Sequence, residues 1–205
     1  MPSVGFNFRR SAAYVTDGTD ETHVIDDPDS PSYGDIYPQV RDGYTFGWTT
    51  AMQLTRDRSS SIDRRLAGFH GSYASANEIW RLDLDGLNGA DTYTMRAAFG
   101  EANYAQSQYN EIRDNTTTRV TIDNTTQTGS ERFTDINDAN HTAAAWPGSN
   151  TSQDVLFNST TFFLHAGDNS TKAGRVAHLY FEWTAGGGSA ASARRGQRTQ
   201  HILMR

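Results

Sequence analysis

Short segments in which apolar and polar residues alternate recur along this chain, and they constrain its fold more than any other feature. Phe6 and Phe8 are separated by a single residue, and so are Tyr44, Phe46 and Trp48. Successive side chains of a strand point to opposite faces of a sheet, so this period predicts strands with one buried face. Each alternating segment is short and is followed by turn-forming residues, which favours an all-β chain.

The most regular alternation lies near the centre of the sequence and predicts a β-hairpin. Its first arm runs from Trp80 to Leu84 and its second from Tyr93 to Phe99, each with period two. A stretch rich in Asp, Asn and Gly separates the arms and is typical of a turn. We therefore expect the two arms to pair with each other in the centre of the core, with Trp80 buried.

Two further strands are predicted later in the chain, from Val155 to His165 and from Val176 to Trp183. Together the strands predict an all-β, antiparallel sandwich over residues 1–185. A Gly-rich stretch then introduces residues 186–205, which are predicted to form a flexible linker and a basic, extended C-terminal arm.

Composition excludes several classes of protein. The 205 residues include no Cys, which rules out a disulfide scaffold and Cys-ligated metals. The net charge of −6 gives no basic footprint for nucleic acid, and no apolar run approaches the length of a membrane span. The N-terminal segment lacks the apolar stretch of a secretory signal peptide, so we expect synthesis in the cytoplasm without export by that route.

Familiar catalytic signatures do not occur in the sequence, among them Gly-x-Ser-x-Gly, the P-loop and His-Glu-x-x-His. The His residues are scattered without the spacing of metal ligands. Two acidic segments are interpreted as polar turns, with calcium binding as the alternative. They are residues 26–35 and the group Asp83, Asp85, Asn88 and Asp91. The chain is therefore expected not to be an enzyme and to hold no cofactor.

Three aromatic residues that fall outside the alternating segments are the candidate binding residues. Tyr104 and Tyr109 lie in a loop-like stretch, and Trp146 lies late in the least regular part of the sequence, residues 124–150. Aromatic rings on loops can stack on the apolar faces of sugars, so these three are the candidate carbohydrate contacts. Burial in the core is the alternative for each of them. The other three tryptophans keep strand spacing and are assigned to the core.

Several short motifs resemble the galactose-binding-domain-like β-sandwich modules attached to bacterial polysaccharide-degrading enzymes. The motifs are Phe6-Asn7-Phe8, Gly43 to Trp48, Arg56 to Gly68, Trp80 to Phe99 and Phe162 to Trp183. The resemblance implies a jelly-roll-like fold in a family that often binds carbohydrate without cleaving it. It supplies no binding residues, because the stretch that contains Trp146 looks like an insertion. The Arg-rich motif has two interpretations, a site for an acidic sugar or a salt-bridge network.

The setting of the module is also predicted from the sequence. We expect a non-catalytic, carbohydrate-binding-type sandwich on a virion, as a phage capsid decoration or tail component. The alternative is a free, cytoplasmic carbohydrate-binding module that serves a polysaccharide-degrading enzyme. The expected partners are glycans and other virion subunits or copies of this chain, without nucleic acid or membrane. The arm would contact these subunits through Arg194, Arg195, Arg198, Ile202, Leu203 and Met204.

Overall fold

Strands account for nearly all of the regular structure of this protein. The computed structural model describes residues 3–8, 24–25, 36–41, 44–50, 54–57, 64–66, 68–73, 76–84, 92–124, 127–146, 150–168 and 170–184. Within these ranges one short 3-10 helix, η1 (Arg64–Leu66), accompanies the strands. The arm predicted over residues 186–205 lies outside the described residues. In chain order the strands are β1 (Ser3–Asn7), β2 (Val24–Ile25), β3 (Gln39–Arg41), β4 (Tyr44–Trp48), β5 (Leu54–Asp57), β6 (Gly68–Gly71), β7 (Glu78–Asp83), β8 (Thr92–Gly100), β9 (Gln108–Asp114), β10 (Thr117–Asn124), β11 (Phe133–Asp135), β12 (Asn140–His141), β13 (Ser152–Leu156), β14 (Thr161–Ala166) and β15 (Arg175–Glu182).

The strands form two sheets, A and B, which pack together as a β-sandwich. Sheet A follows the order β12-β11-β8-β15-β1-β2, and β13, β6 and β5 complete its nine strands. Sheet B has six strands in the order β10-β9-β14-β7-β4-β3. Among the described strands the pairing is antiparallel except between β1 and β2. The predicted all-β, antiparallel sandwich is therefore confirmed.

The main core lies between the two sheets and is dominated by aromatic rings. Phe6 of sheet A meets Trp80 of sheet B edge to face, with ring centroids 5.0 Å apart. Phe181 and Phe162 make a similar contact at 5.1 Å. Edge-to-face packing suits the charge distribution of aromatic rings and adds to the hydrophobic gain of burial. The burial predicted for Trp80 is confirmed, and the other two strand tryptophans are buried as well.

The predicted pairing of the central hairpin is wrong. β7, which carries Trp80, lies in sheet B between β4 and β14, whereas β8 lies in sheet A beside β15. The chain therefore passes from one sheet to the other between Leu84 and Thr92. Both strands bury their alternating residues in the same core. Alternation indicates which face of a strand is buried but not which strand lies beside it, so the two arms could be mistaken for partners.

The single strand predicted from Val155 to His165 is in fact two strands. β13 pairs with β8 in sheet A, and β14 pairs with β7 and β9 in sheet B. Between them the Ser159 hydroxyl accepts a hydrogen bond from the Thr161 amide at 3.0 Å. Such local bonds from a Ser side chain favour turns over continued strands. The last strand, β15, lies where the sequence predicts it.

A second, smaller apolar cluster covers the outer face of sheet A. A register shift in β15 between Val176 and His178 accompanies burial on both faces, so residues 176–181 are buried without interruption. The cluster consists of Leu54, Leu66, Phe69, Ala98, Phe133, Trp146 and Ala177. Sheet A is thus enclosed in this region, while the strands at the centre of sheet B keep one partly exposed face.

Candidate functional site

Three adjacent strands of sheet B present aromatic and charged side chains on the outer surface of the sandwich. In β7, β14 and β9 the residues alternate strictly between buried and half-buried positions. The buried positions point into the core, so the half-buried positions point outward. We name this surface the B face and define it by Tyr37, which packs on it, and by Ile79, Arg81, Asp83, Tyr109, Glu111, Arg113, Phe163 and His165.

Phe163 occupies the centre of the B face. The antiparallel register places it opposite Arg81 on one side and opposite Arg113 on the other. His165, the next outward residue of β14, stands opposite Ile79 and Glu111. A surface depression of about 320 Å³ lies here, and its lining residues are Thr49, Ile79, Arg113, Asn115, Thr116, Phe163 and His165.

Tyr37, Asp83 and Arg81 form a hydrogen-bonded group on the β7 side of Phe163. The Tyr37 hydroxyl donates to Asp83 Oδ2 at 2.8 Å, and Arg81 Nε donates to Asp83 Oδ1 at 2.9 Å. The Arg81 guanidinium carbon lies 4.3 Å from the centroid of the Tyr37 ring and 5.8 Å from that of Phe163. These are cation–π contacts. The hydrogen bond to Asp83 raises the pKa of Tyr37 above its ordinary value.

Gly47 permits Tyr37 to lie over the B face. Gly47 has a φ of +143°, which favours glycine, and a Cβ there would come within 2.4 Å of the Tyr37 backbone nitrogen. The Tyr37 amide donates to the carbonyl oxygen of Trp48 at 2.8 Å. A bridge between Ile36 and Trp48 holds the same segment against β4. The missing side chain is therefore what allows this segment to approach the sheet.

Tyr109, Glu111 and Arg113 form an equivalent group on the other side of β14. The Tyr109 hydroxyl donates to Glu111 Oε1 at 2.5 Å, and Arg113 Nε donates to Glu111 Oε2 at 2.6 Å. Arg113 Nη2 also donates to Oε2. Burial acts to raise the pKa of Glu111, but the bonds from Tyr109 and Arg113 outweigh burial and lower it. The bond to Glu111 raises the pKa of Tyr109 to about 12.

His165 lies beside Glu111 of the second group and is neutral at pH 7. Burial, and to a smaller extent the charge of Arg113, lower the pKa of His165 to about 4, while the charge of Glu111 opposes the shift. Its Nδ1 atom is buried and has no hydrogen-bond partner among the described residues. A neutral imidazole donates from one nitrogen and accepts at the other, so His165 adds hydrogen-bonding capacity without adding charge.

The three predicted carbohydrate contacts lie in three different environments. Tyr104 is 60 % exposed in the segment that follows β8. Tyr109 lies in strand β9 and not in a loop, which corrects the prediction of its location, and it belongs to the B face. Trp146 is only 4 % exposed: its ring contacts His178 with centroids 5.4 Å apart, and the Arg65 guanidinium carbon lies 5.2 Å from its centroid. Trp146 is therefore buried, which is the alternative that the sequence left open for it, and it belongs to the cluster over sheet A.

Sequence reasoning missed most of the B face, including Phe163 and both of its Arg neighbours. A signal was present, because Arg81 and Asp83 are two residues apart and so are Glu111 and Arg113. Residues at this spacing in a strand share a face and can contact each other. The six arm residues predicted as partner contacts, which lie between Arg194 and Met204, fall outside the described part of the chain.

Neither a metal centre nor a membrane-spanning helix is found in the part of the chain that the structure describes. No group of three or more His, Asp or Glu there is placed to hold a metal ion. Of the two acidic segments, Asp83 is described, and it is bonded to Tyr37 and Arg81. None of the described helices has the length and apolar character needed to cross a membrane.

The fold and the B face define an all-β sandwich with a pre-organised aromatic and charged surface on one sheet. Comparison with models of protein families, with curated proteins and with solved structures finds no match for this chain. The resemblance to galactose-binding-domain-like modules therefore stays a prediction from short sequence motifs.

Proposed function

We propose that this protein is a non-catalytic carbohydrate-binding β-sandwich and that the B face is its glycan-binding surface. One observation carries the proposal: Phe163 lies between two hydrogen-bonded groups, each composed of a Tyr, a carboxylate and an Arg. A sugar offers apolar C–H groups that pack on a ring, and neighbouring hydroxyls that both donate and accept hydrogen bonds. The B face supplies partners for both kinds of contact.

Pre-organisation supports the proposal. The Tyr37 ring and Asp83 fix the Arg81 guanidinium, and Glu111 fixes Arg113 in the same way. Long side chains that are already ordered lose less conformational entropy when a ligand binds. Apart from Tyr37, the residues of both groups stand on paired strands, which position a site more firmly than loops do.

The proposed setting follows the expectation from the sequence, a phage capsid decoration or tail component. On such a particle, a glycan-binding face would serve adhesion to a host surface. Mass spectrometry of purified particles tests this setting, because a structural component should be present at a fixed ratio to the major capsid protein. A protein that binds glycans but is missing from particles would instead match the free accessory module.

A glycan array probed with the purified full chain tests the binding function. Phe163→Ala should reduce the signal by about tenfold or more, because it removes the stacking surface while the core residues beneath stay in place. Tyr104→Ala is the matched control, since it removes an exposed aromatic residue that is not part of the B face. Loss of binding in the Tyr104 variant alone would move the site to the loops. No binding to any glycan would contradict the proposed function.

A further inference from the structure

We infer that the B face binds a neutral glycan chain of at least two linked sugars, laid across the strands, and not a single terminal sugar or an acidic polysaccharide. This inference rests on the proposed glycan-binding function. It follows from the duplication of the Tyr–carboxylate–Arg group on the two sides of β14 and from the charge balance within each copy.

The separation of the two groups sets the length of the ligand. β7 and β9 are the two neighbours of β14, and they carry Arg81 and Arg113 directly opposite Phe163. Adjacent strands are about 4.8 Å apart, so the strands that carry the two groups are separated by roughly 10 Å. A single pyranose ring is too short to reach both groups, whereas two or three linked rings can contact both and cover Phe163.

The register sets the direction of the chain. Arg81, Phe163 and Arg113 lie in one row that crosses the strands, and Thr118 of β10 continues this row beyond Arg113. At the other end the row reaches Tyr37, whose ring packs on Arg81. A glycan that lay along the strands would contact one group only. A glycan that crosses them contacts both.

The charges favour a neutral ligand. Arg81 is bonded to Asp83 and Arg113 to Glu111, so each described guanidinium of the B face already has a carboxylate partner. A uronic acid carboxylate placed at either Arg would also stand beside the carboxylate of the protein, and the repulsion offsets the attraction. A sugar hydroxyl can instead donate to the carboxylate and accept from the guanidinium, so it uses both partners.

A length series tests the inference by calorimetry with the full chain. The probes are neutral β-1,4-linked oligosaccharides of glucose, xylose, mannose or galactose, from the monosaccharide upward, with oligogalacturonides of matched length. In the neutral series that binds, the trisaccharide should bind about tenfold or more tightly than the monosaccharide. The neutral chains should also bind more tightly than oligogalacturonides of the same length.

Matched Arg variants test whether both groups contact one ligand. Arg81→Met and Arg113→Met should each weaken trisaccharide binding by about tenfold, because each removes one end of the contact. Arg132→Met is the control, since Arg132 bonds backbone carbonyls of Gly129 and Glu131, away from the B face.

The outcomes separate this inference from the proposed function. Two results would show that the ligand is not an oligosaccharide contacting both groups, while glycan binding itself would stand. One is equal affinity for the monosaccharide and the trisaccharide, and the other is weakened binding in only one of the two B-face variants. Tighter binding of oligogalacturonides would overturn neutrality. No binding to any probe in the length series or on the array would overturn the proposed function and the inference together.

Discussion

The outer faces of sheets A and B have opposite characters. On sheet A, β15 is buried on both faces from Val176 to Phe181, because Trp146 and its neighbours form a second apolar cluster there. On sheet B, β7, β9 and β14 keep every second residue half-buried, and those residues form the B face. One sandwich thus encloses one outer face, which adds to its stability, and leaves the other face accessible to a ligand.

The polar side chains of the segment after β10 and those of the B face also differ in where their hydrogen-bond partners lie. In the segment after β10, the polar groups bond to partners inside the fold: His141 Nε2 lies 2.8 Å from Asp135 Oδ2, and Gln127 donates to the Thr134 hydroxyl at 3.1 Å. Burial there requires such partners, because an unpaired buried polar group costs free energy. On the B face the polar groups bond along the surface instead, where a ligand can reach them.

The largest contrast is expected for aromatic truncations on the two outer faces. Trp146→Ala should lower the free energy of unfolding by about 3–5 kcal/mol, as expected for a buried Trp. Phe163→Ala should lower it by only about 1 kcal/mol, because its ring is half-buried. Urea unfolding measures both, with Trp80→Ala as the reference for the main core. Equal losses at Trp146 and Phe163 would remove the distinction between the faces.

Much of the fold could be predicted from the sequence, and the errors share one physical cause. β1, β4, β7 and β15 lie close to where alternation places strands, because each has at least one face in the main core. Alternation carries no information about pairing, so β7 and β8 were wrongly joined as a hairpin. The cover of sheet A was also missed, because Trp146 belongs to a segment of turns and short strands with no periodic pattern.

Of the residues that form the candidate site, the sequence predicts only Tyr109 as a binding residue. Tyr109 was named as a loop aromatic, but its role depends on Glu111 and Arg113 of the same strand and on Phe163 of the next. Sequence spacing could place the three β9 residues on one face. The register that puts Arg81 and Arg113 on either side of Phe163 depends on long-range pairing, and no local pattern encodes it.

A second prediction concerns the segment that borders the B face. Gly47→Ala should lower the free energy of unfolding by about 1–3 kcal/mol, because its φ of +143° disfavours any side chain and the Cβ would meet the Tyr37 backbone. The same substitution should weaken glycan binding, because Tyr37 would be displaced. Gly129→Ala is a control with positive φ but open space around it. If Gly129→Ala lowers the free energy of unfolding as much as Gly47→Ala does, backbone strain alone explains the decrease and the contact with Tyr37 does not contribute.

The third prediction is a pH dependence that originates on the B face. The pKa of His165 is lowered from 6.5 to about 4 in the folded state, so the unfolded chain binds a proton at a higher pH than the folded chain does. Stability from this group is fully present above pH 6.5 and declines as the pH falls towards 4, by about 1 kcal/mol at pH 5.5. Urea unfolding across this window measures the slope. His165→Gln should flatten it, and an unchanged slope would show that another group is responsible.

The smallest effect is expected for the ion pairs of the B face. Glu111→Gln should change the free energy of unfolding by less than about 1 kcal/mol, because the Arg113 side chain is 31 % exposed and solvent screens the pair. Asp114→Asn is the comparison at a buried position of the same strand: its carboxylate is 3 % exposed and accepts from both Arg119 and the Asn158 amide. Loss of this buried carboxylate should lower the free energy of unfolding by about 1–3 kcal/mol. Paired thermal and urea unfolding of the two variants measures the difference.

A large decrease in the free energy of unfolding for Glu111→Gln would mean that the B face stabilises the fold as the apolar cluster over sheet A does. A small decrease together with weakened glycan binding would show that the charges of the B face act mainly on the ligand.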